Sequence, residues 1–346
     1  MLSFSAVAEK PALLRVPATV QSTPPLAMLL SELAASNYRF TTPTPLTHQR
    51  ALAHRNGRAA ASLRDIFGWS LPFQADAVRP DLLALMDDAG VLLSNGLMFS
   101  SSVRVSTIDD DFFLHSAYPS IAENAVFFGP DTYRFGRLIA QGIAQMSRWR
   151  ERCGYVFSSK PLRVLDVGCG TGAGGIVAAR CLKARGRALS LTMNDINPLA
   201  LQYTAVNAAF AGIPVALAQG DALSAVSGEF DLVISNPPYL DDAAGRSYRH
   251  GGARLGRALG ISIATQALDR LAPGGQLLLY TGVAIVAGVD PFIAEVLPFL
   301  ERAGCEWSYS EIDPDIFGEE LEQPVYAHVD RIAAVGLMAR RTAVRT

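Results

Sequence analysis

The chain has 346 residues, of which 50% are hydrophobic and 18% are charged. At roughly 150 residues per domain this length predicts two domains, and the apolar content excludes a disordered chain or a disulfide-stabilised miniprotein. The net charge of −2 at pH 7 excludes a global positive field, so binding to nucleic acid or an anionic membrane would require a local basic patch.

The spacing of the cysteines and the hydropathy of the chain indicate in which cellular compartment the protein is found. The cysteines form no Cys-x-x-Cys pair and have no histidine at zinc-binding spacing, so we expect reduced thiols and no metal site. They are Cys153, Cys169, Cys181 and Cys305. Met1–Lys10 lacks the features of a secretory signal, and the longest apolar stretch, Leu277–Val289, is too short to span a bilayer. We therefore predict a cytoplasmic protein without membrane partners, and its oligomeric state stays open.

The first third of the chain has helical periodicity interrupted by prolines. Leu26–Leu33 and Leu82–Met86 show the apolar spacing of helices. Two short β-like runs follow, Gly96–Val105 and Phe112–His115. These patterns predict a mainly helical N-terminal domain, residues 1–122, with a small β-hairpin.

An arginine-rich stretch lies within this predicted domain. Leu33–Arg64 contains five arginines, two histidines and no acidic residue. It is either a contact face or a solvated basic surface, which is the usual role of a run of charge. On the first interpretation, residues 1–122 form a substrate-recognition cap over the mouth of the site.

The pattern changes at Leu162, where short β-branched runs begin to alternate with stretches long enough for helices. The predicted strands are Leu162–Val167, Ala188–Asn194, Val215–Ala218, Leu232–Ser235 and Gln276–Thr281. Such alternation predicts an α/β fold with a doubly wound, mostly parallel sheet. Two last runs, Glu306–Ile312 and Arg331–Ala339, have no clear helix between them and predict an antiparallel hairpin at the sheet edge. We assign residues 123–346 to this second domain.

A glycine-rich loop follows the first of these strands. It reads Asp166-Val167-Gly168-Cys169-Gly170-Thr171-Gly172 and leads into a helical stretch. Glycines allow a sharp turn and a close approach of ligand to backbone, so the segment predicts a nucleotide-type binding loop. Because Gly168, Gly170 and Ala173 also satisfy the dinucleotide fingerprint, the loop alone leaves NAD or FAD open.

Two aspartates follow the next two strands. Asp195 ends the second strand, where a carboxylate can accept hydrogen bonds from both hydroxyls of a ribose. Asp221 follows the third strand and could accept from an adenine amino group, or could be an ordinary surface aspartate. Together they favour an adenosine-containing ligand.

The most specific motif is Asn236-Pro237-Pro238-Tyr239, directly after the fourth strand. Two prolines fix the backbone and remove its donors, which leaves nearby carbonyl oxygens free to accept from a ligand. With the Asn236 amide and the flat Tyr239 ring, they would hold a planar –NH2 group by both hydrogens, the ring face alone providing the stacking. A hydride-transfer enzyme has no need of such a site.

Together these motifs resemble a class I S-adenosylmethionine-dependent methyltransferase of the branch that methylates amide or exocyclic nitrogens. The similarity extends over roughly residues 125–346 and is greatest to release-factor glutamine methyltransferases and small methyltransferase domain proteins, which carry a counterpart of Gly129-Pro130-Asp131-Thr132-Tyr133. The resemblance implies a Rossmann-like sheet and S-adenosylmethionine as cofactor. It also implies that Thr132 and Tyr133 cover the methionine end, that Asp166 and Gly168 lie near its amino-acid portion, and that Asp195 binds the ribose.

The predicted site has a catalytic set and a cofactor-binding set. The catalytic residues are Asn236, Pro237 and Tyr239. The cofactor-binding residues are Thr132, Tyr133, Asp166, Gly168, Gly170, Gly172, Asp195, Ile196, Asp221, Ala222 and Asn236.

The sequence motifs define the methyl acceptor less closely than they define the cofactor. A protein glutamine fits the resemblance, although residues 1–122 do not look like the helical substrate domain of the release-factor enzymes. A small metabolite and adenine N6 of RNA or DNA also fit the tetrapeptide, with nucleic acid disfavoured by a pI of about 6.2. A non-catalytic cofactor-binding module is a further alternative. The segment 303–330, with eight acidic residues and no Lys or Arg, is either a lid facing the arginines after Tyr239 or a solvated insertion.

Overall fold

The computed structural model describes residues 24–55, 57–152, 160–242, 245–246 and 248–342. Cys153 and the N-terminal Met1–Lys10, on which part of the sequence interpretation depends, lie outside the described residues. Cys169 is buried, Cys181 and Cys305 are half-buried, and all three are free thiols.

The part of the chain before residue 122 begins with short helices and continues with short strands. The helices are α1 (Pro24–Ala35), α2 (Pro45–Ala53), α3 (Leu63–Phe67) and α4 (Pro80–Asp88). The strands are β1 (Leu92–Asn95), β2 (Met98–Ser101), β3 (Val103–Ile108) and β4 (Asp111–Ser116). Proline occupies the first turn of α2 and α4, where its missing N–H has no cost.

The predicted single hairpin of this region is wrong in number. β1 pairs with β2 and β3 pairs with β4, giving two separate antiparallel sheets. The run Gly96–Val105 contains the β1–β2 turn and parts of two strands, because Gly96 adopts a φ of +64° and Ser102 separates β2 from β3. This single β-like run therefore spans a change from one sheet to another, which the sequence pattern does not show.

The remainder of the chain alternates helices and strands as predicted. It comprises α5 (Pro130–Arg152), β5 (Leu162–Val167), α6 (Ala173–Lys183), β6 (Leu189–Asp195), α7 (Pro198–Phe210), β7 (Ala216–Gln219), β8 (Phe230–Ser235), α8 (Ala258–Leu268), β9 (Leu271–Ile285), α9 (Pro291–Arg302), β10 (Cys305–Asp313) and β11 (Arg331–Arg341). No helix among the residues that the structure describes has the length and apolar sequence needed to cross a bilayer.

A seven-stranded sheet organises these elements in the order β10-β11-β9-β8-β5-β6-β7. The strands from β9 to β7 in this order are parallel, whereas β11 pairs antiparallel with both β9 and β10. The doubly wound, mostly parallel sheet with an antiparallel edge hairpin is thus confirmed. The chain order reverses direction around β5, which places a topological switch point there, and ligands bind at such points beside the carboxyl ends of strands.

The N-terminal elements and the sheet domain share a hydrophobic core. Leu29 and Leu33 of α1 belong to one buried cluster with Tyr203 and Val206 of α7. α7 therefore packs on the sheet with one face and on the N-terminal elements with another. The boundary at residues 122/123 remains a prediction, but the two parts are joined by packing.

Asn207 of α7 adds a polar connection between them. Its side chain accepts from Leu114 N (2.9 Å) and donates to Leu114 O (3.2 Å) and Thr171 O (2.9 Å). It is completely buried. One amide therefore links β4 of the N-terminal part to the glycine loop after β5.

We expect Asn207→Ala to lower the free energy of unfolding by about 2 to 4 kcal/mol, because three buried backbone groups lose their partner. Urea denaturation measures this change. Gln202→Ala, an exposed amide on the same helix, is the control and should shift stability by less than about 0.5 kcal/mol. Equal effects of the two substitutions would show that the Asn207 connection contributes nothing.

Candidate active site

The site lies at the carboxyl ends of β5, β6, β7 and β8. Val167 of β5 is in register with Asn194 of β6 and with Ser235 of β8. The Ser235 hydroxyl donates to Val167 O (2.8 Å), which ties the ends of β5 and β8 together. The segments that follow these strands therefore leave the sheet side by side.

The glycine loop after β5 leaves room for a ligand. Gly168 and Gly170 have φ values of +67° and +55°, and a Cβ built on either would meet no atom within 4 Å. Because glycine has no side chain, both positions leave open space at the strand ends, and neither is needed to avoid a clash in a packed interior. Backbone can approach a ligand closely there, as a nucleotide-type cofactor requires.

Asp166 lies at the end of β5 and is fully buried. Its carboxylate accepts from Gly175 N (2.7 Å) in the first turn of α6. Burial raises the pKa of Asp166 to about 7, with a smaller contribution from the charge of Asp195. A cationic ligand group in contact with this carboxylate would favour its ionised form.

Asp195 is the last residue of β6, and two backbone N–H groups hold its carboxylate. Gly170 N donates to one carboxylate oxygen (2.8 Å) and Asn197 N to the other (2.9 Å). Burial raises the pKa of Asp195, and these two hydrogen bonds act in the opposite direction. Each oxygen retains a lone pair, so the carboxylate can still accept from ligand hydroxyls. Its second role, which the sequence did not reveal, is to fix the glycine loop against the next strand.

Asn236 directly follows β8, and unlike Asp195 and Tyr239 its side chain has no hydrogen-bond partner among the described residues. Its side-chain amide is half-buried and lines the cavity, and it forms no hydrogen bond within the described chain. The carbonyl oxygens of Asn236 and Pro237 are also without a donor among the described residues. These groups remain available to a bound molecule.

Tyr239 is fixed by a buried carboxylate. Its hydroxyl donates to Asp131 in the first turn of α5, and Tyr280 of β9 donates to the other oxygen of Asp131 (2.7 Å). Arg134 donates to Asp131 as well (3.0 Å) and compensates its charge. Burial raises the pKa of Tyr239 well above its usual value, so the phenol stays protonated. The sequence interpretation gave only the ring a role, whereas here the hydroxyl sets the ring's position.

The loop after the tetrapeptide packs directly on its backbone. Gly256 has a φ of +83°, and a Cβ there would lie 2.1 Å from Tyr239 O. Leu240 N donates to Arg249 O (3.1 Å), and Gly251 N donates to Leu240 O (2.8 Å). The glycines of this loop are therefore required for close approach to the tetrapeptide.

These elements enclose a cavity of about 340 Å³, within the range of small-molecule sites. It brings together most of the predicted residues. Those that line it are Thr132, Asp166, Gly168, Gly170, Asp195, Ile196, Asp221, Ala222, Asn236, Pro237 and Tyr239.

Two predicted cofactor residues are not part of the lining. Tyr133 follows Thr132 on α5, where successive side chains point about 100° apart, so one faces the cavity and the other does not. The Tyr133 hydroxyl instead accepts from Thr42 N (3.1 Å). Gly172 precedes α6 with a φ of +77°, and a Cβ there would meet Thr204 at 2.9 Å. Both have positions explained by packing.

Sequence reasoning missed several lining residues before α5. They include His48, Arg104, His115 and Tyr118, and they come from α2, β3, β4 and the segment after β4. No motif marks them, since only the tertiary contacts of the N-terminal elements bring them to the cavity. Their position agrees with the predicted cap, whose recognition role remains a prediction.

The acidic segment contacts the loop after the tetrapeptide at two points. Arg249 pairs with Glu320, and Asp241 N donates to the Tyr326 hydroxyl (2.7 Å). Phe317 reaches the cavity, with its ring centroid 6.2 Å from that of Tyr239. Arg254 and Arg257, by contrast, pair with Glu295 of α9. Part of the segment therefore covers the site, and among the described residues one ion pair, Arg249–Glu320, joins it to the basic loop.

Strand-end carboxylates, an open glycine loop and a switch-point cavity define a nucleotide-cofactor-binding α/β domain. Residues 156–284 match the family described as Methyltransferase small domain. A release factor glutamine methyltransferase of Deinococcus radiodurans is 37% identical over 169 residues, which are 46% of this chain and 55% of that protein. A ribosomal RNA small subunit methyltransferase C of Shewanella sp. (strain MR-4) is 44% identical over 82 residues, 24% of this chain and 23% of that protein.

Residues 156–284 are thus similar to the Methyltransferase small domain family, and the matches support the resemblance to class I S-adenosylmethionine-dependent methyltransferases. They confirm the family resemblance and S-adenosylmethionine as the cofactor, and they remove the NAD and FAD alternative. The chain spans about half the length of the release-factor relatives it matches, and much less of the ribosomal RNA enzyme.

The raised pKa of Asp166 predicts a pH-dependent stability. Between about pH 4 and 7 the folded protein holds a proton on Asp166 that the unfolded chain has lost, so stability falls as pH rises through this window, by up to about 4 kcal/mol. Asp166→Asn should abolish this component in urea denaturation series without cofactor. Asp87→Asn, on the exposed face of α4, should retain the wild-type profile. An unchanged profile in Asp166→Asn would contradict the assignment.

The Tyr239–Asp131 contact predicts energetic coupling between the two side chains. In a double-mutant cycle of Tyr239→Phe and Asp131→Asn, the coupling in the free energy of unfolding should exceed about 1 kcal/mol. Tyr309→Phe removes a similar hydroxyl, bonded to Asp290 at 2.7 Å, and should combine with Asp131→Asn additively within about 0.5 kcal/mol. Additivity in both cycles would mean that Asp131 does not hold Tyr239.

Proposed function

We propose that the protein transfers the methyl group of S-adenosylmethionine to a planar amide nitrogen, and that its acceptor is a glutamine side chain of a protein. The observation that carries the proposal is the group of unpartnered acceptors after β8: the Asn236 amide and the carbonyls of Asn236 and Pro237. They lie at the same sheet edge as the residues suited to the cofactor. The matched release-factor relatives support an amide as the acceptor.

The chain's own residues fit the cofactor in three places. Gly168 and Gly170 leave open space for it, Asp195 retains lone pairs for ribose hydroxyls, and Asp166 offers a buried carboxylate for its amino group. Ile196 is 58% exposed beside Asp195 and offers an apolar surface for the adenine ring. Thr132, Asp221 and Ala222 complete this side of the cavity.

When bound, S-adenosylmethionine supplies an electrophilic methyl group, so the protein chiefly has to orient the acceptor nitrogen. Asn236 Oδ1 and Pro237 O accept the two N–H groups of the amide and increase electron density on the nitrogen as positive charge develops there. The Tyr239 ring, held through Asp131, packs against the amide plane. Phe317 and the loop after the tetrapeptide help to exclude water from this region.

A second acceptor is favoured by one observation. The ribosomal RNA methyltransferase relative matches this chain at 44% identity over 82 residues, which makes an exocyclic amino group of a nucleobase the alternative. The acceptor-holding groups would be the same, because such an amino group is also planar. Incubation with labelled cofactor and either a purified release factor or small-subunit ribosomal RNA distinguishes the two.

Asn236→Ala tests the role of the acceptor-holding group. We expect kcat to fall by roughly 10² to 10³, the scale of one preorganised transition-state hydrogen bond, while cofactor affinity changes by less than about twofold. Calorimetry with S-adenosylhomocysteine measures the affinity, and mass spectrometry of the acceptor detects the added methyl group.

Asn95→Ala, at the exposed turn between β1 and β2, is the matched control and should retain wild-type kcat. Cofactor consumption without a methylated product would contradict methyl transfer altogether. Unchanged kcat in Asn236→Ala would contradict the assignment of Asn236.

A further inference from the structure

A buried guanidinium contributes to the cavity lining without a counter-charge. Arg104 of β3 is 4% exposed, and its Nε donates to Gly68 O (2.9 Å). Its Nη2 is buried and has no hydrogen-bond partner among the described residues. The Arg104 side chain is part of the cavity lining.

The surroundings of Arg104 are neutral. The ring of Phe40 lies 5.4 Å from its guanidinium carbon, and the groups that act on its charge are the hydroxyls of Tyr38, Tyr118 and Tyr133. Three arginines of the N-terminal part do have carboxylate partners: Arg39 pairs with Asp110, Arg55 with Asp65 and Arg79 with Glu32.

Arg104 keeps its charge in this environment. Burial lowers the pKa of Arg104 to about 10, so the group is still charged at neutral pH. An isolated buried charge is unfavourable unless an opposite charge approaches it.

His48 presents a second unused group to the same cavity. It is 1% exposed, and its Nε2 lies 3.1 Å from Trp69 O, which can only accept, so Nε2 carries the proton and Nδ1 is an acceptor. That Nδ1 is buried without a partner in the described chain. Burial, assisted by the Arg104 charge, lowers the pKa of His48 to about 4 and keeps the ring neutral.

The neighbouring histidine is already satisfied. His115 places Nε2 2.8 Å from the Ser106 hydroxyl and Nδ1 3.1 Å from Ser116 O, so both ring nitrogens have partners. Of these three side chains, Arg104 and His48 are the ones with an unpartnered nitrogen. The ring of Tyr118 lies 4.1 Å from that of His48, centroid to centroid, and adds a flat apolar surface that also lines the cavity.

We propose that Arg104, His48 and Tyr118 form the binding site for a carboxylate carried by the methyl acceptor. The proposal rests on the proposed function and narrows its substrate to proteins in which a neighbouring acidic side chain or a chain terminus places a carboxylate near the methylated glutamine amide. One guanidinium compensates one negative charge, and its planar donor fork matches a carboxylate. His48 Nδ1 accepts an N–H or O–H of the acceptor, and Tyr118 packs against its planar part.

The same carboxylate chemistry could come from the methionine portion of the cofactor. The two sources are separated by titrating the full-length protein with two kinds of probe. S-adenosylhomocysteine carries the cofactor carboxylate. Benzoate, added to protein already saturated with S-adenosylhomocysteine, stands for the acceptor carboxylate, and methyl benzoate, which has neither a charge nor an amide, is its neutral counterpart.

With saturating S-adenosylhomocysteine, wild-type protein should bind benzoate at least about tenfold more tightly than methyl benzoate in ligand-observed NMR or calorimetry. Arg104→Gln should remove this preference and leave S-adenosylhomocysteine affinity within about twofold, and Arg104→Lys should retain part of it. Arg39→Gln, which changes an exposed arginine of the same part of the chain, should behave as wild type.

Equal binding of benzoate and methyl benzoate to the wild-type protein would overturn the proposal, and this comparison needs no variant that might misfold. A large loss of S-adenosylhomocysteine affinity in Arg104→Gln would also overturn it, by assigning Arg104 to the cofactor. Failure of the methyl-transfer proposal is measured separately, by the absence of a methylated product, so the two outcomes are distinguishable.

Discussion

The parallel alignment of β5, β6 and β8 is the constraint on which the site depends. Parallel strands end at one edge of the sheet, so the groups that follow β5, β6 and β8 are brought together although they are distant in sequence. The bond from Ser235 to Val167 O fixes the ends of β5 and β8 relative to each other. Asp166 and Asn236 consequently face a common cavity, and acceptor and cofactor can share it.

The parts of this site that obey local rules were predictable from the sequence. The glycine loop, Asp195 and the Asn-Pro-Pro-Tyr tetrapeptide each follow a strand directly, and the β/α alternation places strand ends at one edge. The family resemblance then named the cofactor. The predicted N-terminal hairpin is present as β3–β4, but the second hairpin, β1–β2, was missed because the sequence pattern does not show that Ser102 separates two sheets.

Contacts between distant segments were not predictable. Asp131 and Tyr239 are 108 residues apart, and no pattern in either segment indicates that the tyrosine hydroxyl is bonded to that carboxylate. Likewise, Arg104 and His48 reach the cavity only through the packing of β3, α2 and α3. Tyr133 was assigned to the cofactor by resemblance, yet the helical rotation after Thr132 turns it toward Thr42. Local sequence determines what each segment can do, and long-range packing determines which segments meet.

The packing of α7 on both the sheet and the N-terminal elements has a consequence for how this protein could have acquired its present form. One side of the helix packs against the sheet, and Tyr203 and Val206 complete the core of the N-terminal elements. A different N-terminal domain could not be joined to this sheet simply by exchanging the first 122 residues, because the outer surface of α7 would be left apolar and exposed. Divergence in acceptor preference is therefore expected to have proceeded by paired changes on both sides of this contact, with the helix and its covering elements evolving together.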